Sequence, residues 1–315
     1  MRLRHPSGRI VHLTCGLSLT DAVTPADAFA ALDTAATELR AALNRCGLAN
    51  TGSAADPGPL TIALRLSHPL AAALVDDGRA RTRLRAELDA RSLEVVTLSG
   101  GPDAEGGGTP PESESAALPD WSEPARLQHT LELARILVDL LPEDEVRGAV
   151  GTCGLGPRET WDEAHERAGA RHLGRLSGGL ADLAWRVGRA VRVGFEPHPG
   201  YVLDSPEETV AALARVDKDR LGVCLDLARV VRDWPAPEDG IDRLTDAGLS
   251  VITVRITDPA TAWQPILRHL LAADTARTEY IEVGGNGTAV ADMTYVIGQL
   301  TALGLVPESE PCTAT

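Results

Sequence analysis

The chain has 315 residues, a formal net charge of -15, 43% hydrophobic residues and only 3% aromatic ones. That length allows one large domain or two small ones, with a real core. The acidic balance argues against nucleic acid or membrane insertion, and the few aromatics argue against stacking platforms for bases or glycans.

The opening MRLRHPSGRI carries no apolar signal region, and no apolar run approaches the ~20 residues of a membrane span. From there, short β-branched runs alternate with amphipathic runs rich in Ala, Leu, Arg and Glu. Strands are predicted at 10–15 (IVHLTC), 60–66 (LTIALRL), 94–99 (EVVTLS), 147–153 (RGAVGTC), 192–198 (RVGFEPH), 221–226 (LGVCLD), 250–257 (SVITVRIT) and 278–283 (TEYIEV). Helices are predicted near 25–45, 69–91, 122–141, 160–189, 206–216, 237–248, 260–273 and 289–303. Thr24-Pro25, Ser122 ahead of Glu123-Pro124, and Ser205 ahead of Pro206-Glu207 read as N-caps with proline in the first turn. Eight strand–helix units predict an α/β fold with a parallel sheet, closed into a single (β/α)8 barrel over 1–305. No glycine fingerprint follows the first strand, which speaks against a doubly wound dinucleotide fold. Residues 47–59 and 100–120 read as loops. The second is a flexible insertion after the third strand, on the face where a lid would sit, and 306–315 reads as a frayed tail.

Several chemistries are missing from the chain. The five cysteines (Cys15, Cys46, Cys153, Cys224, Cys312) form no CxxC pair, so neither a zinc knuckle nor a disulfide framework is expected. Reduced thiols in a cytoplasmic protein are the expectation. Lys218 is the only lysine, which confines Schiff-base chemistry to that residue. There is no GxxxxGK[ST] phosphate loop and no GxSxG elbow.

Splitting each strand by the alternation of its side chains gives one apolar phase and one that turns polar toward the strand's end. Pointed into a barrel, the polar phase collects His12, Arg65, Glu196, His198, Asp226, Arg255 and Glu282 around one mouth. Singly, each has a plain structural explanation as a cap, an ion-pair partner or a packed histidine. Their coincidence across strands predicts a site. Three carboxylates brought together repel unless a cation joins them, so the ring calls for a divalent metal, for Arg65 and Arg255, or for both. Gly284-Gly285-Asn286-Gly287 offers a phosphate cradle or a tight turn, and Arg158 in GLGPRET is a candidate anion contact.

FEPHPG followed by GVCLDLARV and YIEV resembles the xylose-isomerase-like superfamily of TIM barrels, which holds sugar and sugar-phosphate isomerases and epimerases and endonuclease-IV-type relatives. More closely, the chain resembles the metabolite-traffic protein EboE family. The stretches VHLTC, LTIALRLS, PDWSEPARLQHTLELARIL, FEPHPGYVLDSPEE, LGVCLDLARV and AGLSVITVRIT carry that likeness, from residue 11 to about 257. The resemblance implies a divalent metal (Mn, Mg, Co or Zn) held by Glu196, Asp226 and Glu282. Two positions depart from the pattern: Arg255 stands where the superfamily has a metal histidine, and Arg229 where the D-x-x-H motif has its histidine. Arginine does not ligate metals, and His198 is the substitute nitrogen donor that strand parity offers. The 100–120 region also lacks the aromatic residues of EboE relatives.

Two functions follow. In the first, an isomerase or epimerase works on a small polyhydroxylated, sugar- or cyclitol-like metabolite. Glu196 and Glu282 are base and acid, Asp226 is ligand or orienter, and a metal or Arg255 stabilises the enediolate. His12, Arg65, His198 and Arg229 bind the substrate. In the second, the barrel holds or hands on a metabolite without turnover, and the resemblance then implies a partner from the same Ebo-type pathway, an enzyme or a membrane-bound prenyl transferase. Nuclease activity fits poorly with the acidic charge and the missing metal histidines.

Overall fold

The computed structural model describes residues 1–45, 59–100, 119–284 and 289–308. Most of both expected loops, and Gly285 to Gly287 of the glycine turn, lie outside those residues. The strands are β1 (Arg2–Arg4), β2 (Ile10–Leu19), β3 (Leu60–Leu66), β4 (Leu93–Gly100), β5 (Arg147–Cys153), β6 (Ala190–Glu196), β7 (Leu221–Asp226), β8 (Val251–Ile256), β9 (Tyr280–Val283) and β10 (Val306–Pro307). Strands β2 to β9 pair in parallel in chain order, and β9 returns to pair with β2. The sheet is therefore a closed (β/α)8 barrel. Both faces of a closed parallel sheet are covered, so a strand such as VITVRI (β8) is buried at every position.

The helices are α1 (Pro25–Arg45), α2 (His68–Asp76), α3 (Gly78–Ala90), α4 (Pro124–Leu140), α5 (Glu163–Val187), α6 (Pro206–Ala212), α7 (Leu227–Asp233), α8 (Pro237–Asp246), α9 (Gln264–Ala272) and α10 (Ala289–Ala302). Three departures from the sequence reading matter. The single helix expected over 69–91 is split: Asp77 is extended, with φ -115° and ψ 96°, and its carboxylate caps α3 at the Arg79 and Ala80 amides. An aspartate at the N-cap satisfies donors that a continuous helix would have paired itself. Helix α7 is new, only two turns of LARVVRD whose apolar run hides a helical period. The first barrel strand continues past Cys15 to Leu19. Gly16 lies within this strand, and a Cβ there would make only ordinary contacts, 3.4 Å from the Gly284 carbonyl and 3.5 Å from Glu282 Oε1.

The chain's two ends make a short antiparallel ribbon at the N-terminal end of the barrel. Leu3 and Arg4 pair with Pro307 and Val306, and the Glu308 amide donates to the Arg2 carbonyl at 3.0 Å. Residues 306–308, expected to fray, are held by this ribbon, with Arg4 ion-paired to Glu308. Among the described residues no helix is long and apolar enough to cross a membrane.

Candidate active site

The inward positions below the C-terminal mouth are small: Ala63, Thr97, Ala149, Gly151, Cys224 and Thr253. Barrel interiors are usually filled by layers of branched side chains. Here the short side chains leave a cleft of about 740 Å³, counting its open mouth, reaching from Ala63 and Thr97 across to Glu196, Arg255 and Glu282. Gly154 shapes its wall, since a Cβ there would come within 2.6 Å of the Glu196 carbonyl. Thr97 Oγ1 is buried in this lining with no protein hydrogen-bond partner. Burial, and next the charge of Glu196, pushes the Cys224 thiol well above its ordinary value, so it stays protonated.

Neighbouring strands set the charges in register. Asp226 ends β7 opposite Arg255 on β8, and Arg255 lies opposite Glu282 on β9. Arg255 Nη1 donates to Glu196 Oε2 at 2.7 Å, and its Nε lies 3.7 Å from Glu282 Oε2. Arg229, on α7, donates to the other Glu196 oxygen at 3.0 Å. Arg65, on β3, approaches Glu282 Oε1 at 3.6 Å. The result is a ladder of alternating charge: Arg229, Glu196, Arg255, Glu282, Arg65. Arg65, Asp226, Arg255 and Glu282 are each under 10% exposed. Buried charges of one sign are costly, and the alternation offsets that cost.

Asp226 has a different task from the two glutamates. Its Oδ1 accepts from the Ala228 amide at 3.0 Å and so caps α7, while Thr257 Oγ1 lies 2.8 Å from both carboxylate oxygens. Burial raises its pKa, opposed by the Thr257 hydrogen bond and the Arg229 charge. The cap fixes the start of α7, and α7 carries Arg229 to Glu196.

The loop after β6 supplies the outer wall. His198 Nδ1 donates to the Pro199 carbonyl at 2.8 Å, and the ring meets that of Tyr201 edge-on, with centroids 5.2 Å apart; both line the cleft. Arg158 is not a free anion contact. Its Nη2 lies 2.5 Å from Glu208 Oε2 and 3.3 Å from the Tyr201 carbonyl, which braces this loop from outside.

Seven of the eight expected site residues thus gather at the mouth: Arg65, Glu196, His198, Asp226, Arg229, Arg255 and Glu282. His12 does not. It is third in a strand of ten, at the opposite end of the barrel, with Nε2 3.3 Å from Glu145 Oε1 and its ring stacked on Tyr280 at 5.5 Å. The expected strand ended at 15, which put His12 near the mouth; β2 runs to Leu19, and Ser18 is the residue level with Arg65. Tyr201, Thr257 and Thr97 were missed. Thr257 follows Arg255 by two in the same inward phase and could have been found; Tyr201 enters through a loop with no period to read.

A (β/α)8 barrel with a cleft bordered by ion-paired side chains at the C-terminal ends of its strands is the class that fold and site define. The chain belongs to the xylose isomerase-like TIM barrel family, whose sequence profile matches residues 55–306. Solved structures with the same fold include a xylose isomerase domain protein from Planctomyces limnophilus, at 14% identity, covering 93% of this chain and 96% of that one, TM-score 0.56. Another is a xylose isomerase-like TIM barrel protein from Mycobacterium smegmatis in complex with magnesium, at 16%, 95% and 94%, TM-score 0.55. A third is D-psicose 3-epimerase in the presence of D-fructose, at 14%, 92% and 97%, TM-score 0.54. No curated protein matches the chain.

Magnesium in one of these structures raises the question whether this donor set suits a cation. It does not. Both Glu196 oxygens accept from guanidinium nitrogens, while Asp226 accepts from the Ala228 amide at Oδ1 and shares the single Thr257 hydroxyl proton between its two oxygens. Glu282 lies between two arginines. Among the described residues no group of three or more His, Cys, Asp or Glu side chains is placed to hold a metal ion.

Proposed function

We propose that the cleft takes a small, uncharged polyhydroxylated metabolite of the sugar or cyclitol type and moves a proton on it, as an isomerase or epimerase. The single observation behind this reading is the guanidinium of Arg255 bridging two carboxylates, Glu196 and Glu282, on one wall of the cleft. Three arginines face three carboxylates there, so an entering group meets no uncompensated charge. Hydroxyls suit such a wall better than phosphate. Thr97, Ser99, Thr253, Tyr201 and His198 provide hydrogen bonds around it.

Proton transfer next to a carbonyl needs a base within reach and a cation where negative charge develops. Glu282, whose facing guanidinium nitrogens stand at 3.6 and 3.7 Å, is the base. It takes the proton from carbon, Arg255 stabilises the enediolate oxygen, the proton of the neighbouring hydroxyl passes to that oxygen, and the protonated Glu282 returns its proton to the adjacent carbon. Glu196, gripped at both oxygens, orients Arg255 and accepts a substrate hydroxyl. Similarity to an epimerase fold agrees with this reading.

A second reading keeps the ligand and drops the chemistry: a binding or traffic barrel in an Ebo-type secondary-metabolite pathway, working beside a pathway enzyme. The grip on Glu196 and the capping duty of Asp226 favour it, because both carboxylates already have structural employment. One experiment separates the two. Sugars and cyclitols that raise the melting temperature are incubated with the protein in D2O and followed by NMR. Deuterium entering at carbon, and lost in Glu282→Gln, supports proton transfer. A bound ketose or aldose that exchanges no proton sinks it in favour of the second reading.

A further inference from the structure

We infer that Arg255, with Arg229 beside it, is a built-in cation occupying the place between Glu196, Asp226 and Glu282 that a divalent metal would need, so that the cleft takes its ligand without one. Strand register carries the argument. Strands β6 and β7 end in Glu196 and Asp226, β8 and β9 carry Arg255 and Glu282 one residue before their ends, and the last three are paired side by side. Carboxylates on adjacent strands that lean into one lumen repel each other and require a cation among them. Here the cation is covalently part of the wall. Arg255 reaches Glu196 at 2.7 Å and Glu282 at 3.7 Å from a residue that is 8% exposed.

A divalent cation would need carboxylate oxygens at roughly 2.0–2.6 Å. To reach that distance it must displace Arg255 or Arg229 from Glu196, and it would then sit beside the displaced positive charge. A guanidinium holds its proton at every pH at which the fold survives, and its planar fork matches carboxylate geometry. A chelator cannot remove it. The substitution also changes what the ligand meets. A metal offers open coordination positions to two neighbouring oxygens, whereas a guanidinium offers only hydrogen bonds in its own plane.

The test reads cation binding, not turnover, so its failure and that of the carbohydrate reading are distinguishable. The full chain, freed of metal with chelator, is titrated calorimetrically with MnCl2, CoCl2, ZnCl2 and MgCl2. The same is done for Glu196→Gln, Asp226→Asn, and the double variant Arg255→His with Arg229→His. The wild type is expected to show no cation bound at this site, and the double variant to bind one equivalent of Mn2+ or Co2+. One equivalent bound by the wild type and lost in Glu196→Gln or Asp226→Asn overturns the inference. A cation retained in both variants lies elsewhere and agrees with it. A folded double variant that gains no affinity also overturns it, since the guanidiniums would then not be what excludes the metal. If the double variant does not fold, the wild type and the two carboxamide variants decide.

Discussion

The barrel carries ionisable residues at both ends, and the two ends use them differently. At the N-terminal floor, Arg2 pairs with Asp144 and Glu145, Arg192 and Arg147 approach Glu279, and His12 lies against Glu145. A ribbon of β1 and β10 adjoins this end. At the mouth, Arg229, Glu196, Arg255, Glu282 and Arg65 border a cleft cut into the lumen by small side chains. Charge clustered at a strand end is therefore not in itself a site. At the mouth, small side chains leave space beside the charges.

The comparison breaks most directly by removing one charge from each end. Glu196→Ala leaves Arg229 and Arg255 facing each other in a largely buried wall and is expected to cost about 3 kcal/mol or more in urea unfolding. Arg2→Ala, on a side chain 33% exposed, is expected to cost about 1 kcal/mol or less. Equal losses would mean that the ladder at the mouth is no more tightly coupled than the pairs at the floor.

Acid sharpens the contrast, because the ends respond with opposite sign. Burial, and next the positive amino terminus and Arg2, lowers the His12 pKa to about 4, against about 6.5 for an unfolded histidine. The unfolded chain therefore takes the proton first. Stability at the floor is lost as pH falls from about 6.5 to about 4, by on the order of 3 kcal/mol, a loss that His12→Gln should not show. Asp226 has its pKa raised, chiefly by burial. The folded state then holds that proton more tightly, so the wild type loses stability relative to Asp226→Asn as pH rises from about 4 through the raised value. Unfolding free energies of the two matched pairs across pH 3.5 to 7 check both signs (a window set by ~4 and ~6.5).

The smallest effect belongs to the outer brace. Arg158 is 49% exposed and its Glu208 partner 38%, so Arg158→Ala is expected to change stability by about 0.5 kcal/mol or less. Its effect should instead appear as weaker ligand binding, read by the ligand-induced melting shift, because the loop bearing His198 and Tyr201 loses its anchor. A stability loss with unchanged ligand response would make Arg158 an ordinary surface pair.

Much of the mouth was legible because side-chain alternation needs no tertiary knowledge. Glu196, Asp226, Arg255 and Glu282 share one phase of four strands, and a closed parallel sheet points that phase inward. His12 shows where the method stops: it has the right phase but the wrong height, and height depends on where β2 ends. The strand expected to stop at Cys15 runs on to Leu19, which leaves His12 at the floor. Helix α7 was hidden by its length, although Asp226 was already there to cap it.

Sequence by itself determined the barrel and the inward polar phase, because alternating strands and helices with two-residue periodicity are local properties of the chain. Only the tertiary structure decided that the arginines grip the carboxylates, that Asp226 is bound to Thr257, and that His12 belongs to the floor. Those facts depend on register between strands distant in sequence, and register is fixed by packing and bulges that no single strand records.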